Sequence, residues 1–377
     1  MGTQILVDLL GFTGSRGGTE TYIRELAPRL AERMPDVDFV ALANKRGAER
    51  VRSFFPGDVR VAAWVGGGRV SWAAGEILAA QRAASVASAD LVWCPANFGP
   101  ILRGSPRVVT LHDVIYHEVP GGAADRIKRA GTSWLMARSA ATADRVITVS
   151  HAAARAINEL LGLPVDKISV VHNGGSAPRP PQDPRGSLGA LLGRTSGRRI
   201  VLSTGNRMPH KNFDGLLRAI AEIEPLARPL VVIAGGGHDD PLADQVRALG
   251  LSADVVLPGW VTAEELEALY AVADLYVCPS LVEGFGLPVV DALRRGCPVL
   301  ANDIDVLREV GGSVASYADA RDPRTFASAI RAALERPDDA AQRTARAEWA
   351  SAFTWDASAD ETADVMRSVL FGAVRRR

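Results

Sequence analysis

Short apolar runs alternate with helical patterns along most of the 377-residue chain. An apolar run of about four to eight residues followed by a helix-period pattern is typical of βαβ units, which build parallel sheets. The first half contains such runs at 4–10, 37–43, 59–63, 90–93, 108–111, 145–149 and 168–171. The second half contains them at 200–203, 230–234, 255–257, 275–278 and 298–301. The pattern therefore predicts an α/β protein with one parallel sheet in each half.

Helical patterns fill most of the gaps between these runs. Residues 263–272 and 325–334 carry apolar stripes of helical period, and residues 358–370 indicate a helix near the C-terminus. Pro28 lies inside the helix predicted after the first strand, where proline removes a hydrogen bond and clashes with the preceding turn. We therefore expect that helix to kink or to be shorter than its pattern.

An aperiodic stretch separates the two halves. It is rich in Gly, Pro, Ser and Arg, which interrupts both the helical and the strand period. The chain length also suits two α/β domains. We predict an N-terminal domain at 1–173, a linker at 174–199, a C-terminal domain at 200–355, and a final helical segment at 356–377 that returns to the N-terminal domain.

The composition is that of a globular protein without a bulk charge for nucleic acid. Hydrophobic residues make up 47% and charged residues 23% of the chain, which argues against disorder. Lys and Arg total 43, and so do Asp and Glu, whereas nucleic-acid-binding domains are usually basic. We therefore expect no nucleic-acid partner.

The cysteines and the N-terminus indicate a cytoplasmic protein. Cys94, Cys278 and Cys297 are far apart and set in apolar runs, which predicts buried thiols in a reducing compartment and no metal site. The N-terminal sequence lacks the basic start and the small-residue cleavage site of a signal peptide. No apolar run reaches the ~20 residues that a transmembrane helix needs.

The motif PSLVEGFGLPVVDAL at 279–293 is the strongest chemical signal. It follows a predicted strand, and its glycines let the backbone approach a ligand closely. A proline suits the first turn of the next helix, so that amides near Gly286 and Leu287 can bind an anion. Glu283 and Asp291 can face the carboxyl edge of the sheet, where open α/β folds bind ligands. The alternative is a turn-rich loop with a capping acid.

The loop STGNRMPHKN at 203–212 follows the first strand of the second half. Gly205 permits a tight turn there. Arg207 and Lys211 place two cations beside a predicted helix N-terminus, an arrangement that suits a diphosphate. Two solvated surface cations are the alternative.

The N-terminal half contains further candidate site residues. Gly17 and Gly18 precede an amphipathic helix, but the G-x-G-x-x-G spacing of dinucleotide loops is absent, and a plain tight turn is the alternative. His112 and Asp113 follow an apolar strand, where a lone histidine can equally be a hydrogen-bonded structural residue. Ser150 directly follows the sixth run and is predicted to cap a helix.

Together these segments resemble the retaining glycosyltransferases of family 4, group 1 type, which have the GT-B architecture and include mannosyltransferases. The resemblance covers nearly the whole chain and is strongest over 200–312. It implies two Rossmann-like domains that face each other across a deep cleft.

The resemblance implies a donor site in the C-terminal half. Glu283 is expected to contact the hydroxyls of the donor hexose, and Arg207 and Lys211 to stabilise the leaving diphosphate. Asp291 stands where the family has a Glu that binds the ribose. Asp is one methylene shorter, so a direct contact and a bridging water both remain open. The base is expected near 258–261, and the other donor-binding residues are expected to be Gly205, Gly284, Phe285, Gly286 and Leu287.

The resemblance also implies roles in the N-terminal half. The amides of Gly17 and Gly18 are expected to lie under the donor phosphate. His112 is expected to contact the 6-hydroxyl region of the donor sugar or to face its anomeric carbon with the backbone carbonyl. Asp113 is expected to orient His112 or to bind the acceptor. Ser150 is expected to have the same kind of role, in orienting a site residue or binding the acceptor.

We therefore expect a retaining hexosyltransferase that uses a GDP-mannose-like donor or a UDP- or dTDP-hexose. The acceptor is expected to be a glycan, a lipid-linked molecule or a small molecule. No acidic pair of the DxD type ends a predicted strand, so no metal and no cofactor beyond the nucleotide-sugar co-substrate is expected. The alternatives are a sugar-nucleotide epimerase on the same fold and a non-catalytic sugar-nucleotide-binding protein. The missing fingerprint loop disfavours an NAD-dependent dehydrogenase.

The basic segment 126–138 carries Trp134 between its cations. One interpretation is a solvated helix face. The other is a peripheral contact with the inner face of a membrane that holds a lipid-linked acceptor.

Overall fold

The computed structural model describes residues 2–14, 17–65, 75, 83–84, 88–114, 123–192, 197–237 and 239–374. Strands and helices are numbered in chain order over these residues. None of the helices found among them is both long enough and apolar enough to cross a membrane.

The first sheet is parallel, with the strand order β3-β2-β1-β4-β5-β6-β7 among the described residues. Its central strands β4 and β5 are buried at every position, which is why they appear in the sequence as continuous apolar runs. The predicted runs are confirmed. The strands are β1 Thr3–Leu9, β2 Val37–Asn44, β3 Asp58–Ala62, β4 Leu91–Cys94, β5 Arg107–Leu111, β6 Arg145–Thr148 and β7 Ile168–Val170.

The second sheet repeats this topology with the order β10-β9-β8-β11-β12-β13. In both sheets the order reverses beside the first strand, as in Rossmann-like folds. The edge strand β13 was not predicted, because its three residues, Ser-Tyr-Ala, form no apolar run. The strands are β8 Ile200–Thr204, β9 Leu230–Ala234, β10 Val255–Val256, β11 Leu275–Cys278, β12 Val299–Asn302 and β13 Ser316–Ala318.

The first sheet carries long helices, and the helix after β1 runs through Pro28 to Arg33. Of the two expectations for Pro28, the shorter helix is therefore excluded, and the kink stays a prediction. The helices of this part are α1 Gly18–Arg33, α2 Ala48–Arg52, α3 Ala123–Thr142 and α4 His151–Leu161.

The remaining helices lie before, between and after the strands of the second sheet in the chain. Residues 263–272 form a helix at the predicted bounds, with a capping box between Thr262 and Glu265 at its start. The helices are α5 Pro184–Ser187, α6 Gly189–Leu192, α7 Phe213–Ala221, α8 Ala243–Ala248, α9 Ala263–Val272, α10 Leu287–Arg294, α11 Asp305–Gly311, α12 Pro323–Glu335, α13 Ala340–Ser351 and α14 Trp355–Val374.

The chain divides into two compact units, one formed by 1–174 with 354–377 and the other by 175–353. Within the first unit, α14 packs on α1, where Arg33 pairs with Asp356 at 2.6 Å and with Asp360 at 3.0 Å. Within the second unit, the residues that follow Gly174 are tied down, since the Ser176 backbone N–H donates to Asp291 at 2.7 Å.

Each unit has its own apolar core. In the first, Leu6, Val92 and Met136 belong to one buried cluster, and in the second, Val231, Val277 and Phe326 belong to another. The three cysteines are buried and none of them forms a disulfide in the part of the chain that is described. Burial raises the pKa of Cys278 to about 11 and that of Cys297 to about 12, so both stay protonated thiols at neutral pH.

Candidate functional site

Lys211 and Glu283 form an ion pair at the carboxyl edge of the second sheet. Lys211 ends a short 3₁₀ turn after β8, and Glu283 lies in the loop after the neighbouring strand β11. The Lys211 Nζ and Glu283 Oε1 atoms are 2.6 Å apart, and the two side chains are 17% and 10% exposed. The structure thus brings together two of the predicted site residues that are 72 positions apart.

The Glu283 carboxyl has a lowered pKa despite its burial. Burial raises the pKa, but the charge and the hydrogen bond of Lys211, together with a hydrogen bond from Ser280, outweigh it. Glu283 is therefore an ionised, acceptor-only group at neutral pH.

The loop after β11 is held in shape before α10 begins. The Leu281 backbone N–H donates to the carbonyl of His210 at 2.8 Å, which ties this loop to the turn that carries Lys211. Gly286 has a φ of +98°, and a Cβ atom there would lie 2.9 Å from Leu307 Cδ2. A residue with a side chain would therefore be strained at Gly286. Phe285 is buried and packs edge-on against Phe353 at 5.7 Å.

Arg207 lies deeper in the same unit and is held by Asp240. Its Nη2 is 2.7 Å from Asp240 Oδ2, and the two side chains are only 8% and 6% exposed. The guanidinium also donates to the carbonyls of Gly205 and Ile233. Arg207 is therefore engaged by protein groups on several sides.

Asp291 lies in α10, and one of its carboxylate oxygens is used by Ser176. The backbone N–H and the hydroxyl of Ser176 donate to Asp291 Oδ1 at 2.7 and 2.8 Å. Burial raises the pKa of Asp291, although Arg295 and Ser176 partly offset this. Among the described residues Oδ2 has no hydrogen-bond partner, so it is the oxygen left for a ligand.

His112 follows β5 in the first unit and is fixed by two hydrogen bonds. Its backbone N–H donates to Asn97 Oδ1 at 2.6 Å, and its Nε2 lies 2.8 Å from the carbonyl oxygen of Pro95. The ring meets Tyr22 edge-on at 4.7 Å. Because a carbonyl oxygen can only accept, Nε2 carries the proton and Nδ1 is an acceptor. Burial lowers the pKa of His112 to about 4, so the ring is neutral at physiological pH.

The other predicted residues of the first unit occupy helix starts and strand ends. Gly17 precedes α1 in an extended conformation, and a Cβ atom on it would meet nothing within 4 Å. Ser150 caps α4 by accepting from the Ala153 backbone N–H at 3.0 Å, as predicted. Asp113 is half-buried directly after His112.

Comparisons with known proteins identify the family of the chain. The model of glycosyl transferases group 1 matches residues 191–349, and that of Glycosyltransferase Family 4 matches residues 16–175. The D-inositol 3-phosphate glycosyltransferase of Kineococcus radiotolerans is 30% identical over 400 residues, covering 94% of this chain and 91% of that protein. The chain is a group 1 glycosyltransferase of family 4.

Two further proteins are similar to this glycosyltransferase. O-antigen chain mannosyltransferase B of Escherichia coli is 29% identical over 282 residues, which cover 72% of this chain and 73% of that protein. The crystal structure of Anabaena HepE in complex with UDP-glucose has a TM-score of 0.72 at 19% identity and covers 98% of this chain and 100% of that chain. The likeness to that structure supports the GT-B fold with its two Rossmann-like domains.

Sequence reasoning missed two residues that hold predicted site residues of the glycosyltransferase. Asp240 binds Arg207 from 33 positions away, and Ser176 binds Asp291 from 115 positions away. Neither pair has a spacing that a helix or a hairpin would produce, so no local pattern reveals them.

The basic segment of the glycosyltransferase is described in part. The side chains of 126–129 lie outside the described residues. Trp134 on α3 is 58% exposed, and Arg138 is exposed one turn further along. The interpretation of this segment as a membrane contact stays a prediction.

Proposed function

We propose that this glycosyltransferase transfers a hexose from a nucleotide-diphosphate sugar with retention of the anomeric configuration. The observation that carries the proposal is the Lys211–Glu283 pair, 2.6 Å apart at the carboxyl edge of the second sheet. A cation beside an ionised carboxylate matches the donor, whose diphosphate is anionic and whose hexose offers hydroxyl donors.

Lys211 is proposed to bind the diphosphate. Negative charge builds on the leaving phosphate as the bond to the anomeric carbon breaks, and a cation already in place lowers the barrier. The helix α10 begins at Leu287, and the amides of a first helical turn favour an anion. These groups support charge stabilisation without a divalent metal, and we propose a metal-independent reaction.

Glu283 is proposed to accept hydrogen bonds from hydroxyls of the donor hexose. Its lowered pKa keeps the carboxylate ionised, so that it can only accept. The same carboxylate holds the ammonium of Lys211 in one position before the donor arrives. Holding the cation in advance reduces the reorganisation that the reaction requires.

For the chemical step we propose front-face attack. The acceptor oxygen bonds to the anomeric carbon while the bond from that carbon to the phosphate oxygen breaks, and the acceptor proton passes to the leaving phosphate. His112 has a pKa of about 4 and is neutral, which suits a hydrogen-bond acceptor better than a general acid. Its Nδ1 is proposed to accept from a hydroxyl of a substrate sugar.

The proposed donor is GDP-mannose or a UDP- or dTDP-hexose, and the proposed acceptor is a glycan, a lipid-linked molecule or a small molecule. The E. coli relative is named a mannosyltransferase of the O-antigen chain, which supports a mannose donor and a glycan acceptor. The Kineococcus relative is named for an inositol phosphate, which supports a small-molecule acceptor.

A panel of nucleotide sugars tests the proposal. A donor present at 100 times its Kd adds about 2.7 kcal/mol to the free energy of unfolding, which a thermal shift detects. Transfer with the stabilising donor is then followed by NMR, and the anomeric configuration of the product should equal that of the donor. A new epimer formed from donor alone would favour the epimerase, and binding without transfer to any acceptor would favour the non-catalytic protein.

A further inference from the structure

The guanidinium of Arg207 is almost fully used by the protein. Nε donates to both carboxylate oxygens of Asp240 at 3.0 Å, and Nη2 donates to Asp240 at 2.7 Å and to the carbonyl of Ile233 at 2.7 Å. Nη1 donates to the carbonyl of Gly205 at 2.9 Å. Four of the five N–H groups of the guanidinium therefore have protein acceptors. The face of the guanidinium lies over the Phe213 ring, 5.0 Å from its centre.

The space that the Arg207–Asp240 ion pair occupies is available because residue 236 is a glycine. A Cβ atom on Gly236 would overlap the Asp240 carboxylate and lie 2.8 Å from Arg207 Nη2. The next residue offers a contrast, because a Cβ atom on Gly237 would meet no atom of the described residues within 4 Å. The loop after β9 is thus shaped around the pair at Gly236 and is open one residue later.

The ion pair is connected to Lys211 through the loop that follows β8. Arg207 donates to the Gly205 carbonyl in this loop, and the Lys211 backbone N–H donates to the carbonyl of Met208, the residue after Arg207, at 3.0 Å. The Gly205 backbone N–H in turn donates to the carbonyl of Ala234 at the end of β9. A shift of Arg207 would therefore move the loop that carries Lys211.

Arg207 and Lys211 differ in how deeply their ion pairs are buried. The carboxylate of Asp240 neutralises Arg207 in a buried, bidentate contact, and breaking such a contact leaves an uncompensated buried charge. The Lys211 side chain is twice as exposed as that of Arg207, at 17% against 8%. The diphosphate can therefore approach Lys211 while the Arg207–Asp240 pair stays intact.

We propose that Arg207 and Asp240 are positioning residues whose ion pair fixes the loop that presents Lys211 to the donor diphosphate, and that Arg207 does not itself contact the diphosphate. This inference rests on the proposed function, since it assigns Lys211 to the diphosphate.

The experiment compares binding of UDP, GDP and dTDP with binding of uridine, guanosine and thymidine, which lack the diphosphate. The variants are Asp240→Asn, Arg207→Gln, the double variant, Gly236→Ala and the control Gly237→Ala. Asp240→Asn, Arg207→Gln and Gly236→Ala should each weaken the nucleoside diphosphate by about tenfold and leave the nucleoside within about twofold. The double variant should be no worse than either single variant, and Gly237→Ala should bind as the wild type.

Thermal unfolding of each variant without ligand shows whether it folds. If Asp240→Asn does not fold, the binding data for Gly236→Ala test the inference instead. This variant disturbs the Arg207–Asp240 pair without removing a charge. A merely structural role would lower the unfolding temperature without a loss confined to the diphosphate, and this result would overturn the inference.

The inference is also overturned if Asp240→Asn binds UDP or GDP as well as or better than the wild type while Arg207→Gln loses about tenfold. In that case the freed Arg207 reaches the phosphates directly. If Lys211→Ala loses binding but Asp240→Asn and Gly236→Ala do not, only this inference fails. If the wild type itself binds neither UDP, GDP nor dTDP, the proposed function fails with it.

Discussion

At the carboxyl edge of the second sheet Lys211 and Arg207 pair with carboxylates as ions, whereas at the same edge of the first sheet His112 is held as a neutral ring. The second sheet carries Lys211 with Glu283 at 2.6 Å and Arg207 with Asp240 at 2.7 Å. The first sheet carries His112, whose Nε2 meets a carbonyl oxygen at 2.8 Å and whose ring lies edge-on to Tyr22.

This contrast arises on one topology. Both sheets place their first strand between the second and the fourth of their own unit, so the backbone provides two equivalent edges. The residues of the loops then decide which chemistry each edge can perform. A charged edge suits a nucleotide diphosphate, and a neutral, hydrogen-bonded edge suits the hydroxyls of a sugar.

The largest effect is expected from Lys211→Ala. It removes the cation from the charged edge, and kcat/KM should fall by about 10²–10³-fold, as for other single groups that stabilise developing charge. Steady-state transfer with the best donor of the panel measures this.

Arg218→Ala is the matched control for this variant. Arg218 is a cation of the same unit but is 61% exposed, and among the described residues it pairs with Asp214 within its helix. Its replacement should change kcat/KM by less than about twofold. A loss below about threefold in Lys211→Ala would contradict the assigned role.

The neutral edge predicts a pH dependence of stability. The pKa of His112 is lowered from 6.5 to about 4, so the unfolded chain binds the proton more readily. The stabilisation is present above pH 6.5 and is lost as the pH falls toward 4, by roughly 3 kcal/mol in total.

His112→Gln isolates this contribution. Gln keeps a donor for the Pro95 carbonyl but does not titrate. Urea unfolding at pH 7, 5.5 and 4.5 should show a shallower loss of stability in the variant than in the wild type. Identical slopes would mean that His112 does not stay neutral in the folded protein.

Replacement of Asp291 tests whether a carboxylate at the charged edge of the second sheet binds the ribose of the donor. Asp291→Ala should weaken uridine or guanosine by about tenfold if its free Oδ2 accepts from ribose hydroxyls. Ser176→Ala should leave that affinity unchanged and lower the free energy of unfolding by about 1 kcal/mol, since it removes one hydrogen bond to the same carboxylate. Normal nucleoside binding by Asp291→Ala, with reduced stability, would make Asp291 a structural anchor.

The smallest effect is expected from metal removal. Lys211 and the start of α10 supply the positive potential in the account given above, so dialysis against EDTA should leave the transfer rate unchanged. A rate that falls with EDTA and returns with Mg²⁺ or Mn²⁺ would show that the charged edge needs a divalent ion.

The strands of the fold could be predicted because burial leaves a local record in the sequence. Central strands such as β5 and β9 are buried at every position and so form unbroken apolar runs. The edge strand β13 has the sequence Ser-Tyr-Ala and so forms no such run.

The site could be predicted only where its residues belong to a local motif. Glu283, Gly286 and Lys211 stand in loops that directly follow strands, so the sheet topology brings them to one edge. The binding of Arg207 by Asp240 depends on how two loops pack, and Gly236 shows its role only when the space around it is known.

A crystal structure of the enzyme with a bound nucleotide sugar would show which side chains meet the diphosphate and the hexose. We expect a diphosphate oxygen within hydrogen-bonding distance of Lys211 Nζ, a hexose hydroxyl hydrogen-bonded to Glu283, and Arg207 still paired with Asp240. A donor bound elsewhere, with the Lys211–Glu283 pair untouched, would contradict this expectation.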